Sequence, residues 1–269
     1  MTPEFPSSTP ADAAARQTHP RPVALVTGAG KRIGRSIALA LAGKGWDVAV
    51  HYNRSRAEAL GVVAEIEALG RRAVALQCEL GDENAVRGLL ARAGELGAVG
   101  CVVNSASLFD YDDAASFSGA RLQQHMSANV AAPLLLAQAL HAATPAGSQS
   151  VVINLLDQKL YNPNPDYLSY TLSKAALHSA TTLLAQALAP TVRVVGVAPG
   201  ITMLSGDQTD SQFEQAHRVT PLGKSSTPQD IADAVCFVAT ASAMTGTTLL
   251  VDGGQHLLPL SRDVMFIAK

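Results

Sequence analysis

Cysteine is scarce, and the three present, Cys78, Cys101 and Cys236, stand far apart with no Cys-x-x-Cys pair among them. Neither a zinc cage nor a disulfide framework organises such a chain, and a reducing cytoplasm is its expected home. Basic runs are missing too: the formal net charge is −2, so no positive field draws phosphate backbones or anionic lipid. Neither nucleic acid nor a membrane is an expected partner. No apolar stretch approaches the ~20 residues that cross a bilayer. The opening "MTPEFPSSTPADAAARQTHPRP" lacks the apolar centre of a signal peptide, and residues 1–20 are expected to be a disordered arm. Aromatic residues make up only 4 % of the chain, so an aromatic-walled pocket has to be built from very few rings. Phe109, Tyr161, Tyr167 and Tyr170 are the candidates.

What is plentiful is apolar sequence, at 48 % of 269 residues, enough for one large α/β domain over 21–269. Short β-branched runs alternate with longer Ala/Leu-rich segments. The runs "VALVTG", "WDVAVHY", "AVALQCEL", "GCVVNSA", "SVVINLL", "RVVGVAP" and "TTLLVDGG" predict seven strands buried on both faces. Helices are expected near 33–44, 56–68, 84–96, 115–142, 167–188 and 228–239. A doubly wound, mostly parallel Rossmann-type sheet is the simplest fold that holds them. The long segment 201–230 follows a strand end and is a candidate lid, or else a surface excursion with a short helix at 211–217.

"VALVTGAGKRIGRSIALAL" reads as strand, glycine turn and helix start. Gly28 permits the tight turn, and Gly34 lets the helix pack closely and aim its N-terminus at a pyrophosphate. Strand two ends in His51, Tyr52 and Asn53, with no acid for ribose hydroxyls, and Arg54 and Ser55 follow. Arg32 in the turn offers a second guanidinium. Two such forks suit a 2′-phosphate, so NADPH is the expected cofactor; otherwise both arginines are solvated surface residues. Glu79, at the third strand end, is a weaker candidate for the adenine amino group.

Tyr170 and Lys174 are four apart and share one face of a helix. An ammonium beside a phenol favours the phenolate and would bring its pKa toward the working range. Thirteen residues earlier, Asp157 ends an apolar run, as a solvated strand-end carboxylate or as part of a proton-handling site.

Together, "TGAGKRIG", "NSAS" after the fourth strand, Asn129 in "MSANVAAP", the Tyr170/Lys174 pair and "APG" at 198–200 resemble the short-chain dehydrogenase/reductase family, over about 22–255. The resemblance implies a cofactor cleft that also takes in Lys31, Ile33, His51, Leu80, Ser105, Ala106, Pro199, Gly200 and Ile201. Two departures stand out. Arg32 replaces the usual middle glycine, and Asp157 replaces the usual catalytic serine. Both, with "HYNRS", resemble the pteridine reductase and dihydromonapterin/dihydrofolate reductase branch, where Ser107 and Phe109 of "SASLF" match positions that line the pterin site. Ser105 and Leu108 depart from that branch's asparagine and serine.

The resemblance implies hydride transfer from NADPH to a pterin-type C=N carbon, with Asp157 and Tyr170 delivering the proton. Lys174 would hold the cofactor ribose, and Asn129 a water relay or the local helix geometry. Phe109 is read as a ring-stacking wall or as core. Other readings are a short-chain reductase of another carbonyl or imine, and a non-catalytic NADPH-binding sensor. The resemblance also implies a homotetramer through the helices carrying Asn129 and Tyr170, with the tail "HLLPLSRDVMFIAK" crossing to a neighbour. No metal site is expected.

Overall fold

The computed structural model describes residues 22–203, 213, 217, 218, 220–263 and 266. The expected arm at 1–20 and most of the expected short helix at 211–217 lie outside them. The strands are β1 (Val23–Val26), β2 (Asp47–Tyr52), β3 (Ala73–Gln77), β4 (Val99–Asn104), β5 (Ser150–Leu155), β6 (Val192–Pro199) and β7 (Thr248–Val251). They form one parallel sheet in the order β3-β2-β1-β4-β5-β6-β7. The helices are α1 (Arg32–Gly43), α2 (Arg56–Ala68), α3 (Glu83–Ala93), α4 (Gly119–Met126), α5 (Ala132–Ala143), α6 (Leu168–Leu188) and α7 (Pro228–Thr240).

Strand residues alternate between two cores. Val26, Val50 and Ile153 pack under α1, α2 and α7, whereas Leu25, Ala49 and Val152 face α3, α5 and α6. Both faces are covered, which is why the strands read as apolar runs rather than alternating ones. Strand order reverses between β1 and β4, and a cleft opens beyond their carboxyl ends, the usual ligand site of such sheets.

The single helix expected over 115–142 is instead α4, a π turn at Ser127–Ala131, and α5. Residue 115 lies outside it because Asp113 accepts from the Ala115 and Ser116 amides, closing a tight turn, and Ser118 then caps α4. The π turn has a local cause as well. Pro133 has no N–H for the Asn129 carbonyl, its α-helical partner, so the ladder widens there. β3 also ends before Glu79 and Leu80, which lie in the following loop.

Candidate active site

The turn after β1 is fixed by close backbone approach. Gly28 has φ +66°, and a Cβ there would stand 3.0 Å from Ala106 Cα. A Cβ on Gly34 would collide with the Gly28 carbonyl oxygen. Only glycine fits either place. Thr27 Oγ1 accepts from the Ser105 and Ala106 amides, both at 3.0 Å, tying the loop after β4 to this turn. Buried His51 braces it from β2: Gly28 N–H donates to Nδ1 at 3.1 Å, so Nε2–H donates to the Cys78 carbonyl at 3.0 Å. Burial lowers the His51 pKa, consistent with a neutral ring. Arg32 holds φ +52°, which costs a non-glycine residue about 1–2 kcal/mol. Lys31 at the N-cap of α1 gives no side-chain cap, so the first N–H groups of the helix are left for an anion.

An open cleft of about 1410 Å³ runs from this turn to the ends of β5 and β6. Of the residues singled out in the sequence for cofactor, substrate or chemistry, all but Ile201, Asn129 and the two wall candidates Tyr161 and Tyr167 line it. Arg32, Arg54 and Ser55 stand together at its β2 end. Two carboxylates there are already engaged: Lys31 pairs with Glu58 at 2.6 Å, and Asn53 Nδ2 donates to Glu79 at 2.5 Å. Ile201 lines a smaller pocket of about 120 Å³, continuous with the cleft through Phe109, Asp157, Tyr170, Gly200 and Thr202.

At the bottom of the cleft the Tyr170 hydroxyl donates to Asp157 Oδ2 at 2.7 Å, while Asp157 Oδ1 accepts from the Lys159 amide at 2.8 Å. Burial raises the Asp157 pKa above the usual carboxylate range, against the lowering effect of both hydrogen bonds. The phenol departs from its expected behaviour. Burial first, then the Asp157 charge, hold the Tyr170 pKa well above 10, so the residue is a neutral donor and not a phenolate. Lys174 does not offset this, because its ammonium donates to the Leu155 carbonyl at 2.7 Å and lies 5.7 Å from the Tyr170 ring centre. Burial brings Lys174 down to about 8, with Asp157 opposing the shift.

The aromatic wall is partly as expected. Phe109, 40 % exposed, stacks on Tyr167 at 4.3 Å and meets the edge of Tyr170 at 4.6 Å. Tyr161 stands elsewhere, with His178 and His256. Ser107 is exposed on the cleft wall. Asn129 is buried and faces backbone: its side chain accepts from the Leu108 amide at 2.7 Å and donates to the Leu108 carbonyl and Ser173 Oγ, both at 3.0 Å. It ties the loop after β4 to α6, a contact that neither role expected for it names.

Several contributors were not legible in sequence. Buried Asp112 accepts from the Ser169 amide and hydroxyl at 2.8 and 2.5 Å, capping the helix that carries Tyr170. Asn104, Asn154 and Thr181 form a buried ladder from β4 through β5 to α6. Asp166 clamps the tail by accepting from Arg262 and the Asp263 amide, so Asp263 and Leu260 wall the small pocket from the same chain. Asx and cap signals exist for Asp112, but many residues share them.

The profile described as enoyl-(acyl carrier protein) reductase matches residues 28–256. The chain belongs to the short-chain dehydrogenase/reductase family. This short-chain reductase is 36 % identical to FolM alternative dihydrofolate reductase 1 from Brucella canis, solved with NADP, with a TM-score of 0.83 over 88 % of this chain and 95 % of that one. It is 32 % identical to pteridine reductase 1 of Leishmania tarentolae, over 88 % of this chain and 96 % of the relative. It is also 31 % identical to the 3-oxoacyl-[acyl-carrier-protein] reductase FabG of Staphylococcus epidermidis, over 87 % and 98 %. No helix among the described residues is long and apolar enough to cross a membrane, and no cluster of three metal-ligating side chains occurs among them.

Proposed function

We propose that this short-chain reductase uses NADPH to reduce a pterin-type C=N bond. The observation that carries the reading is the Asp157 carboxylate hydrogen-bonded at 2.7 Å to Tyr170 beside the open ring of Phe109. A hydroxyl in place of Asp157 serves a ketone equally well. A carboxyl raised by burial supplies the proton that a ring nitrogen needs.

The cleft fits a dinucleotide phosphate on its own features: two glycines that admit no side chain, an uncapped helix N-terminus, and Arg32 and Arg54 with Ser55 at the second strand's end. NADPH supplies the hydride when bound. Lys174, anchored on the Leu155 carbonyl at the cleft wall, would hold the ribose hydroxyls. The exposed part of the Phe109 ring on the cleft wall would contact the substrate ring, and Ser107, two residues earlier on the same wall, would bond its edge. In the competent state both groups carry a proton, Asp157 as a carboxyl raised by burial and Tyr170 as a neutral phenol. As the carbon is reduced, one proton would pass from the pair to the ring nitrogen, leaving carboxylate and phenol, and solvent would reprotonate Asp157.

A second reading, reduction of a carbonyl, is favoured by the likeness to the FabG protein. NADPH oxidation by purified protein with dihydrobiopterin, dihydromonapterin and dihydrofolate, against a panel of ketones, separates the two. Turnover of ketones alone refutes the first reading. The same proposal includes a homotetramer in a reducing cytosol. Leu172 and Leu183 lie exposed on α6, and all three cysteines are buried thiols. A monomer by light scattering would remove the tetramer.

A further inference from the structure

The small pocket beyond Asp157 has side-chain acceptors on one wall, and its Lys159 and Asn162 donors are already engaged with the Asp166 and Leu258 carbonyls. Gln158, the residue after the acid, lines it with its side-chain oxygen buried and without a hydrogen-bond partner among the described residues. Asp263 lines it too, and the cation beside that carboxylate, Lys159, is spent on Asp263 at 3.3 Å and on the Asp166 carbonyl at 2.5 Å. A buried amide oxygen left unmet is costly, and the terminal torsion of glutamine is soft enough to turn that oxygen into the pocket. What the wall calls for is an O–H or N–H donor.

Resting on the pterin reading, the position of that donor follows from connectivity. Asp157 and Tyr170 serve the ring nitrogen, whose bonded neighbours are the carbon that takes hydride and the ring-fusion carbon next to a carbonyl. A carbonyl oxygen is an acceptor and gains nothing from an acceptor wall. A hydroxylated substituent on the hydride-accepting carbon does. An acyl thioester carries no such donor beside its reacting carbon.

We propose that Gln158 is a specificity-determining residue that accepts a hydrogen bond from a hydroxyl on the substituent of the carbon being reduced. The test compares wild type, Gln158→Met and Gln158→Glu with 7,8-dihydrobiopterin, whose side chain has hydroxyls, and with 6-methyl-7,8-dihydropterin, which has none. Removing the acceptor raises KM for dihydrobiopterin about ten-fold with kcat nearly unchanged, and leaves the methyl compound unaffected. Gln158→Glu keeps an acceptor and restores the preference. Affinity of the NADP-loaded protein for biopterin and for 6-methylpterin follows the same pattern, and unchanged NADP affinity shows that the variants are folded. Equal changes for both compounds, or none, overturn the role of Gln158 while leaving the pterin reading intact. If wild type neither turns over nor binds any pterin, the function reading fails, and this proposal with it.

Discussion

Replacing Asp157 by asparagine separates chemistry from architecture more sharply than any other single change. The amide keeps the shape of the acid and still accepts the Lys159 N–H that closes the Gln158–Leu160 turn, 2.8 Å away in the wild type. With its one oxygen on that N–H, the amide presents an N–H to the Tyr170 oxygen where Oδ2 had accepted. The titratable proton is lost and the bond to Tyr170 is kept with its direction reversed. General acid catalysis contributes ~10²–10⁴ in rate, or ~2.7–5.5 kcal/mol of barrier, so kcat with a dihydropterin should fall by that factor. Stability should move the other way. Burial raises the folded pKa of Asp157 above its ordinary 3.8. Its stabilising contribution is therefore complete below that value and is lost as pH rises through the folded pKa. Near neutrality the buried carboxylate costs the fold desolvation energy, which a neutral amide relieves.

The assay is steady-state NADPH oxidation across pH, with melting temperature measured on the same samples. Wild-type activity should fall as pH rises through the raised pKa of Asp157, and Asp157→Asn should lose that limb while melting no lower at neutral pH. A kcat within about three-fold of wild type with the same pH profile would refute the role of the acid. A drop in melting temperature parallel to activity would refute the energetic argument.

Three further outcomes follow from other parts of the site. Arg54→Ala should raise KM for NADPH by ~10-fold or more and leave NADH almost unaffected, since a charge-assisted bond to a 2′-phosphate is all that is removed; equal losses for both cofactors would show that Arg54 does not read the phosphate. Asp112→Ala leaves the Ser169 amide and hydroxyl without their acceptor at the start of α6 and should cost ~1–3 kcal/mol by urea unfolding. An unchanged midpoint contradicts this. For Lys174, the folded pKa of about 8 lies below the ordinary 10.5, so between them the unfolded chain holds a proton that the folded one has released. Stability gains from this residue as pH rises through that window, and the advantage of Lys174→Met over wild type should shrink there; a constant difference would count against burial as the cause.

The sheet was legible because its strands are buried on both faces, which leaves contiguous apolar runs and little ambiguity of period. The cleft was legible because Gly28 and Gly34 mark a turn whose tightness demands them. Legibility ended where a side chain's partner is distant in sequence. The spacing of Tyr170 and Lys174 places both on one helical face, yet it could not show that the ammonium turns to the Leu155 carbonyl and that burial governs the phenol. Tyr161 looked like part of the pocket wall for the same reason, and the chain carries it to His178 instead. The helix expected from residue 115 failed on purely local grounds, the Asp113 turn and Pro133, both readable in principle but outweighed by the Ala/Leu content around them.

Pro133 connects that local misfit to function. By leaving the Asn129 carbonyl without its α-helical donor it widens the helix into the π turn that carries the Asn129 side chain, which grips both backbone groups of Leu108, next to Phe109, and reaches Ser173. Ser173 in turn donates to the Tyr170 carbonyl at 2.7 Å. At the loop's other end Asp112 bonds Ser169, the neighbour of Tyr170. The ring that would stack the substrate and the hydroxyl that would protonate it are thus on one loop and one helix pinned together on both sides. The distance between Phe109 and Tyr170 is set by these buried polar contacts more than by the two rings themselves, since a ring pair alone contributes only ~0.5–1.5 kcal/mol beyond its burial. On the proposed reaction, Asn129, outside the cleft, would therefore act through geometry, by fixing where Phe109 and Tyr170 meet.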